Sequence, residues 1–385
     1  MRRSAGTWSI SRSPSIGSRN RFRTSSERAA MAAVVMVQPQ ERARLGGHEV
    51  REVLDRYDIG KVSEARVFDR GSSKSPKVRI RSLNGEYLLK RCAPGQDDPV
   101  RIALRHDFQL SLQEDGYPSA AIIRSRDGES FVQRGSRIYE LFEFVGGRRF
   151  NRSPLQARQA GYEMARMHDH FRSWSGAVPS GSGFHAKTGV ADAMQQLPVR
   201  LCPDDPHRRR GMTTICKSLA ALFEDAHARI EALGHSDAIR TVLHGDWHPG
   251  NVLYDGNDIC AVLDFDSIHH GSRVADLANG LLQFTMQIGD LDDVDHWPDS
   301  LELPLLASIR AGYDEGTFEP LEENEMAMIP WLMIEALIVE SIAPIAARGR
   351  FGSIPGDRFL RHIERQIGWI RPRVDELVAQ MGASS

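Results

Sequence analysis

From Gly47 onward the chain carries two kinds of hydrophobic pattern, and the change between them falls at residues 142–147. Before that point, "EARVFDR" (64–70), "KVRIRS" (77–82) and "EYLLKR" (86–91) alternate or are β-branched, and "GSSKSP" and "LNG" separate them. That pattern predicts an antiparallel meander. Ahead of it, "HEVREVLDRY" (48–57) places Val50, Val53 and Leu54 at helical spacing. "DDPVRIALRHDFQLSLQEDGYP" (97–118) predicts a helix with Pro99 in its first turn and Gly116 as its stop. "ESFVQRG" (129–135) and "RIYELFEFVGG" (137–147) predict two further strands. Afterwards the spacing is helical: "PLQARQAGYEMARMHDHF" (154–171) repeats apolar residues at Leu155, Ala160, Met164 and Met167, and the stretch from Glu322 to Met381 is expected to be helical too. The expected class is α+β, a small β-rich front followed by a large helical back, with no internal repeat.

The N-terminus departs from this picture. The first 26 residues are rich in Arg and Ser, contain no acidic residue and lack the apolar stretch of a secretory signal. They read as a disordered tail or an upstream extension of the reading frame, since Met31 and Met36 offer later starts, with an organellar transit peptide as the alternative. The expected domains are therefore a tail over 1–46, a first lobe over 47–145 and a second over 146–385. With 41% hydrophobic and 26% charged residues, the chain has material for a real core. A net charge of −2 argues against nucleic-acid or membrane-surface binding through bulk electrostatics. Cys92, Cys202, Cys216 and Cys260 form no CxxC pair, which suggests reduced thiols and a cytoplasmic setting. The most apolar run, 326–346, is interrupted by Pro330, Glu335, Glu340 and Pro344. Oligomeric state is not legible.

The densest chemistry lies at 244–251, "HGDWHPGN". Val242-Leu243 reads as a strand entering this turn, Val252–Tyr254 as a strand leaving it, and "DGN" (255–257) as a tight hairpin. The return strand "DICAVLDFD" reaches Asp264 where its apolar run ends, so Asn251 and Asp264 are expected at one end of a β-ribbon. Two hard oxygen donors there suit Mg²⁺ bound with substrate phosphates, and Asp246 is left to face an acceptor hydroxyl. A competing reading takes His244, Asp246 and His248 as an HxDxH zinc set of a hydrolase, with His269 and His270 available to complete it. A third takes the loop as purely structural.

The segment "HGDWHPGNVLYDGNDICAVLDFD" resembles the catalytic and metal-binding segment of the aminoglycoside phosphotransferase family, which includes choline, homoserine and methylthioribose kinases. "GEYLLKR" resembles the family's lysine-bearing strand, "YELFEFVGG" its hinge, "GYEMARMH" the helix before the catalytic loop, and "RVADLANGL" the stretch after the metal aspartate. The run from "RIALRHDFQ" to "YELFEFVGG" is most similar to the homoserine-kinase and spore-coat-kinase-like branch.

This resemblance implies a protein-kinase-like bilobal fold, ATP and Mg²⁺ as cofactors, and transfer of the γ-phosphate to a hydroxyl of a small molecule such as an amino alcohol, sugar or aminoglycoside. It implies Asp246 as catalytic aspartate, Asn251 and Asp264 as metal ligands, and Lys90 as the contact to the α- and β-phosphates. Gly71, Ser72 and Ser73 are a candidate backbone cradle for phosphates, although the turn contains no P-loop. Glu143 to Val145 are candidates to offer backbone groups to adenine. Asp276 is expected to support the catalytic loop. A nucleotide- or partner-binding protein without catalysis is the alternative, disfavoured by the joint presence of Asp246, Asn251 and Asp264. One position departs from the pattern. Where kinase-like folds carry a glutamate on the helix after the lysine strand, this chain has Arg105; Asp107 is the nearest acidic candidate.

Overall fold

The computed structural model describes residues 43–71, 74–179, 183–185 and 187–382. They form two compact units that divide between Gly146 and Gly147. The Arg/Ser-rich tail, with Met31 and Met36, lies outside the described residues, as do Ser72 and Ser73.

The first unit contains helix α1 (Gly47–Leu54), strands β1 (Val62–Val67), β2 (Lys77–Ser82) and β3 (Gly85–Arg91), helix α2 (Pro99–Glu114), and strands β4 (Val132–Arg134) and β5 (Arg137–Glu143). The strands make one sheet in the order β1-β2-β3-β5-β4, with every neighbouring pair antiparallel. Successive side chains of a strand point to opposite faces, so the sheet has two distinct sides. On one, Val78 pairs with Leu89 and Ile80 with Tyr87, and α1 lays Val50, Val53 and Leu54 onto the core they form. On the other, Cys92 and Ile138 pack against Ile102 of α2.

Several ends differ from the hydrophobic pattern. β1 stops at Val67, although Phe68 still donates its N–H to Lys77 O at 2.9 Å. The "ESFVQRG" strand shrinks to three residues at the sheet edge, where only one side offers a partner. α2 begins at Pro99, as expected, because Asp98 Oδ1 accepts the Val100 N–H at 2.9 Å. Gly116, at φ +69°, turns the chain out after Glu114.

The second unit is mostly helical: α3 (Pro154–His170), α4 (Val190–Leu201), α5 (Pro206–Ala232), α6 (Arg273–Thr285), α7 (Leu303–Gly316), α8 (Glu323–Arg348), α9 (Gly356–Ile370) and α10 (Val374–Gly382). Two ribbons sit between α5 and α6 in sequence: β6 (Arg240–Leu243) pairs with β9 (His269–Ser272), and β7 (Val252–Asp255) with β8 (Asp258–Val262). α8 is long and apolar enough by length and composition to cross a membrane, yet 83% of its apolar stretch is buried inside the unit. The helical run expected over 322–381 is interrupted. Gly349, at φ +73°, caps α8, and a hairpin of β10 (Arg350–Phe351) and β11 (Ile354–Pro355) precedes α9.

Candidate active site

The loop between β6 and β7 is held by its backbone. Asp276, in the first turn of α6, is buried and accepts the N–H groups of His244 (2.9 Å) and Gly245 (3.1 Å). His168 Nε2, from α3, lies 3.2 Å from the same carboxylate. Burial alone would raise the Asp276 carboxyl, but the hydrogen bond and charge of His168 outweigh it and hold it below the usual carboxylate value. Gly245 is at φ +74°, and a Cβ there would stand 2.4 Å from Ser267 O. No side chain fits. Trp247 is buried beneath the turn.

Both imidazole nitrogens of His244 are used inside the protein. Nε2 donates to Leu263 O at 3.0 Å, and Nδ1 accepts the Asp246 N–H at 3.3 Å. His248 Nδ1 accepts from Gly250 N at 2.9 Å, and His269 Nδ1 donates to Ser267 O at 2.9 Å. These histidines shape the turn, and the HxDxH set does not converge on a common point; the histidine–carboxylate groups that do converge among the described residues lie elsewhere. Asp246 keeps its carboxylate accessible, with 49% of the side chain exposed.

The hairpin joins the remaining residues of the motif. Leu263 N–H donates to Asn251 O at 2.8 Å, which sets Asn251 and Asp264 at the same end of the β7–β8 ribbon. Asn251 Nδ2 donates to the main-chain O (3.0 Å) and to Oδ2 (3.1 Å) of Asp246, which turns its Oδ1 the other way. Asp264 is exposed and sits at φ +62°, a region few non-glycine residues occupy and aspartate tolerates. An amide oxygen beside a carboxylate is a donor set for a hard divalent cation, and the residues fit that role.

Lys90, on β3 in the first unit, is buried, not solvated. Its Nζ lies 3.5 Å from Glu140 Oε2, and the two residues are directly opposed across β3 and β5. The expected helical partner is absent, because Asp107 lies on the exposed face of α2. Instead α2 turns Arg105 and His106 inward, at 3.6 Å and 2.9 Å from Glu140 Oε1. Burial would raise the Glu140 carboxyl; the charge of Lys90, then the His106 hydrogen bond and the Arg105 charge, hold it well below the carboxylate range. The pairing runs with inverted polarity: the strand supplies the carboxylate and the helix supplies cations.

The other nucleotide candidates are less defined. Gly71 is exposed at φ +78°, while Ser72 and Ser73 lie outside the described residues. At the end of β5, the Glu143 N–H is committed to Ala121 O at 2.8 Å and the Phe144 N–H to Glu86 O at 2.9 Å. Val145, half-buried, follows them.

The second unit also contains a cleft of about 100 Å³ lined by Met286, Gln287, Trp297, Phe359 and His362, with Glu340 of α8 on its wall. Glu340 is open to solvent yet crowded from the sides, as a group on a concave wall is. That crowding raises its carboxyl, the Asp246 charge nearby raises it further, and Lys187 opposes both. Glu340, on the cleft wall, thus lies within the field of the Asp246 charge.

Residues 64–318 match the phosphotransferase enzyme family, APH. The chain belongs to that family. Homoserine kinase of Pseudomonas aeruginosa is 28% identical over 246 residues, 62% of this chain and 69% of the relative. Stress response kinase A of Escherichia coli is 26% identical over 196 residues, 50% of this chain and 55% of the relative. Among solved structures, a microcompartment-associated aminopropanol kinase aligns with a TM-score of 0.63 at 16% identity, covering 86% of this chain and 98% of that one. Spectinomycin phosphotransferase APH(9)-Ia, in complex with ADP and spectinomycin, aligns at 0.58 and 12% identity, covering 87% and 100%. At such identities these two show the fold, and the expected kinase-like architecture is borne out. This APH-family chain is a phosphotransferase.

Two site residues escaped the sequence reading. Glu140 carried a signal, a carboxylate in the apolar strand "RIYELFE" at an inward position. Glu340 reads in the sequence only as an interruption of an apolar run.

Proposed function

We propose that this phosphotransferase moves the γ-phosphate of ATP to the hydroxyl of a small molecule that also bears a cationic amine. Asp246 orients the acceptor hydroxyl and takes its proton as the oxygen bonds to the γ-phosphorus. The bond from that phosphorus to the bridging oxygen breaks, and ADP leaves. Phosphoryl transfer passes through a loose transition state, so positioning and charge neutralisation supply most of the rate. Lys90, held by Glu140, is assigned to the α- and β-phosphates. Asn251 Oδ1 and Asp264 would hold Mg²⁺, which supplies neutralisation of phosphate charge when bound.

The observation that carries this reading is the chain of contacts Leu263 N–Asn251 O and Asn251 Nδ2–Asp246 Oδ2, which fixes the metal-ligand candidates and the proton acceptor to one another. A protein that only binds nucleotide has no use for that coupling. Glu340 supports the acceptor class: the one carboxylate that the described residues place on a largely apolar cleft wall, within the field of Asp246, suits an ammonium group. The test is acceptor-stimulated ADP release across amino alcohols, aminoglycosides and neutral sugars. Amine-bearing acceptors should stimulate turnover, and in Glu340→Gln their KM should rise roughly ten- to a hundred-fold, the ~1.5–3 kcal/mol of a hydrogen bond to a charged group. Stimulation by neutral sugars alone, or an unchanged KM, would remove the amine from the reading.

A further inference from the structure

Apart from the Asp246 loop, the second unit gathers three histidines and two glutamates from four separate stretches of chain. His227 and Glu231 stand one turn apart on α5, His235 follows that helix, Glu335 sits in the middle of α8, and His185 precedes α4. His185 Nδ1 lies 2.6 Å from Glu335 Oε2, and His227 Nδ1 lies 3.2 Å from Glu335 Oε1. On its other side, His185 Nε2 lies 3.1 Å from Glu231 Oε1. The His235 ring packs 3.9 Å, centroid to centroid, from that of His185.

A single protonated histidine would suffice to neutralise a buried glutamate, so an ion-pair role accounts for only part of this cluster. Glu335 is fully buried and has two imidazole nitrogens directed at its two oxygens. His235 is buried too, and its Nε2 has no hydrogen-bond partner. Two imidazole nitrogens converging on one buried carboxylate are what a three-ligand metal site looks like without its ion. Ligand atoms of His185, His227 and Glu335 all lie within 4.8 Å of one another. A tetrahedral zinc-type ion at ~2.0–2.2 Å from each ligand sets donors about 3.4 Å apart, which small side-chain rotations from these positions would reach.

We propose that His185 Nδ1, His227 Nδ1 and the Glu335 carboxylate bind one divalent transition-metal ion of the zinc class, separate from the Asp246 loop. The roles within the cluster follow from the two nitrogens of His185. With Nδ1 on the metal, Nε2 carries the proton and donates to Glu231, the carboxylate–histidine–metal relay that fixes tautomer and ring orientation at such sites. Two imidazoles and one carboxylate are an established zinc donor set that leaves a fourth position open. The ion would clamp residues 183–185 to α5 and α8, in addition to the His185–Glu231 hydrogen bond.

His185, Glu231 and His235 form a second triangle through the other nitrogen of His185, so the experiment must separate the two. The purified full chain is loaded with Zn²⁺ or Co²⁺ in excess Mg²⁺, freed of unbound metal, and assayed for metal content, the visible absorption of tetrahedral Co²⁺, and thermal midpoint. Wild type and Asp264→Ala should each retain one equivalent, show the tetrahedral Co²⁺ bands and melt at higher temperature with metal. His227→Gln, at a partly exposed position, and Glu335→Gln, nearly isosteric, should each lose the retained equivalent and the metal-dependent rise in midpoint; His235→Gln should keep both. The proposal is overturned if wild type retains no stoichiometric metal, if His227→Gln and Glu335→Gln still bind it, or if Asp264→Ala or His235→Gln abolishes binding.

Discussion

Lys90 and Glu140 face each other across adjacent antiparallel strands, and their charged ends approach to 3.5 Å in a buried setting. The glutamate also serves Arg105 and His106, so it is the common anion of a cluster with three basic side chains. Replacing Glu140 by Gln removes that anion and leaves the basic groups buried together. Breaking a buried pair in this way costs about 3–5 kcal/mol. Glu140→Gln should lower the denaturant midpoint of the first unit by a corresponding amount and weaken ATP affinity. An unchanged midpoint would mean that Lys90 and Arg105 find other anions.

Asp246 and Asp264 should fail differently. Asp246→Asn keeps the shape and removes the base, so phosphoryl transfer should drop by roughly 10²–10⁴ while nucleotide binding persists. Asp264→Ala should weaken nucleotide binding only when Mg²⁺ is present, because the lost group is the proposed metal ligand. Titrations of nucleotide affinity with and without Mg²⁺, run beside turnover, distinguish the two. Equal behaviour of both variants would contradict the division of roles.

Asp276 touches no reactant, and its substitution should still be felt at the reaction. Asn in its place offers one acceptor atom where the loop presents the two N–H groups of His244 and Gly245. An orphaned buried donor costs roughly 1–3 kcal/mol. Asp276→Asn should therefore lose stability on that scale and lose kcat, with ATP affinity held. A fall in ATP affinity equal to the fall in kcat would argue against a role confined to the loop.

His362 gives the protein an acid limb. Burial, then Arg365, pushes its imidazole down to about 4, against the opposing pull of Asp299. An unfolded histidine titrates near 6.5. Between those values the unfolded chain binds the extra proton, so stability rises with pH there and falls on acidification from about 6.5 to 4. The contribution is at most about 3 kcal/mol, complete near pH 4. Denaturation midpoints followed from pH 7 to 4 should fall less steeply in His362→Gln than in wild type. Parallel slopes would place the acid sensitivity in other groups.

What the sequence made legible follows from how local each feature is. The HGDWHPGN loop, the tight hairpin and Asp264 lie within one short stretch, so their order and spacing alone predicted a shared ribbon end. β2 and α2 were legible because strict alternation and a capping Asp-Pro are local signals. The partner of Lys90 was not: it depends on which strands become neighbours and on how α2 is rotated, and neither is written in α2 itself. The truncated β4 reflects its edge position, a property of the finished sheet. Glu335 and Glu340 looked like flaws in an apolar helix. Only packing against α5 and the cleft gives each its own surroundings.

The bond from Leu263 N–H to Asn251 O closes a ring of chain that contains nothing but one hairpin. Short closures cost little chain entropy, so the Asn251–Asp264 end of the ribbon can assemble without help from distant segments. The turn bearing Asp246 has no such autonomy, since its amides are gripped by Asp276, 31 and 32 residues further on. The proposed cation-binding corner and the proposed proton acceptor therefore differ in robustness: heat, truncation or a poorly packed α6 should silence turnover before it erases a divalent-ion signal.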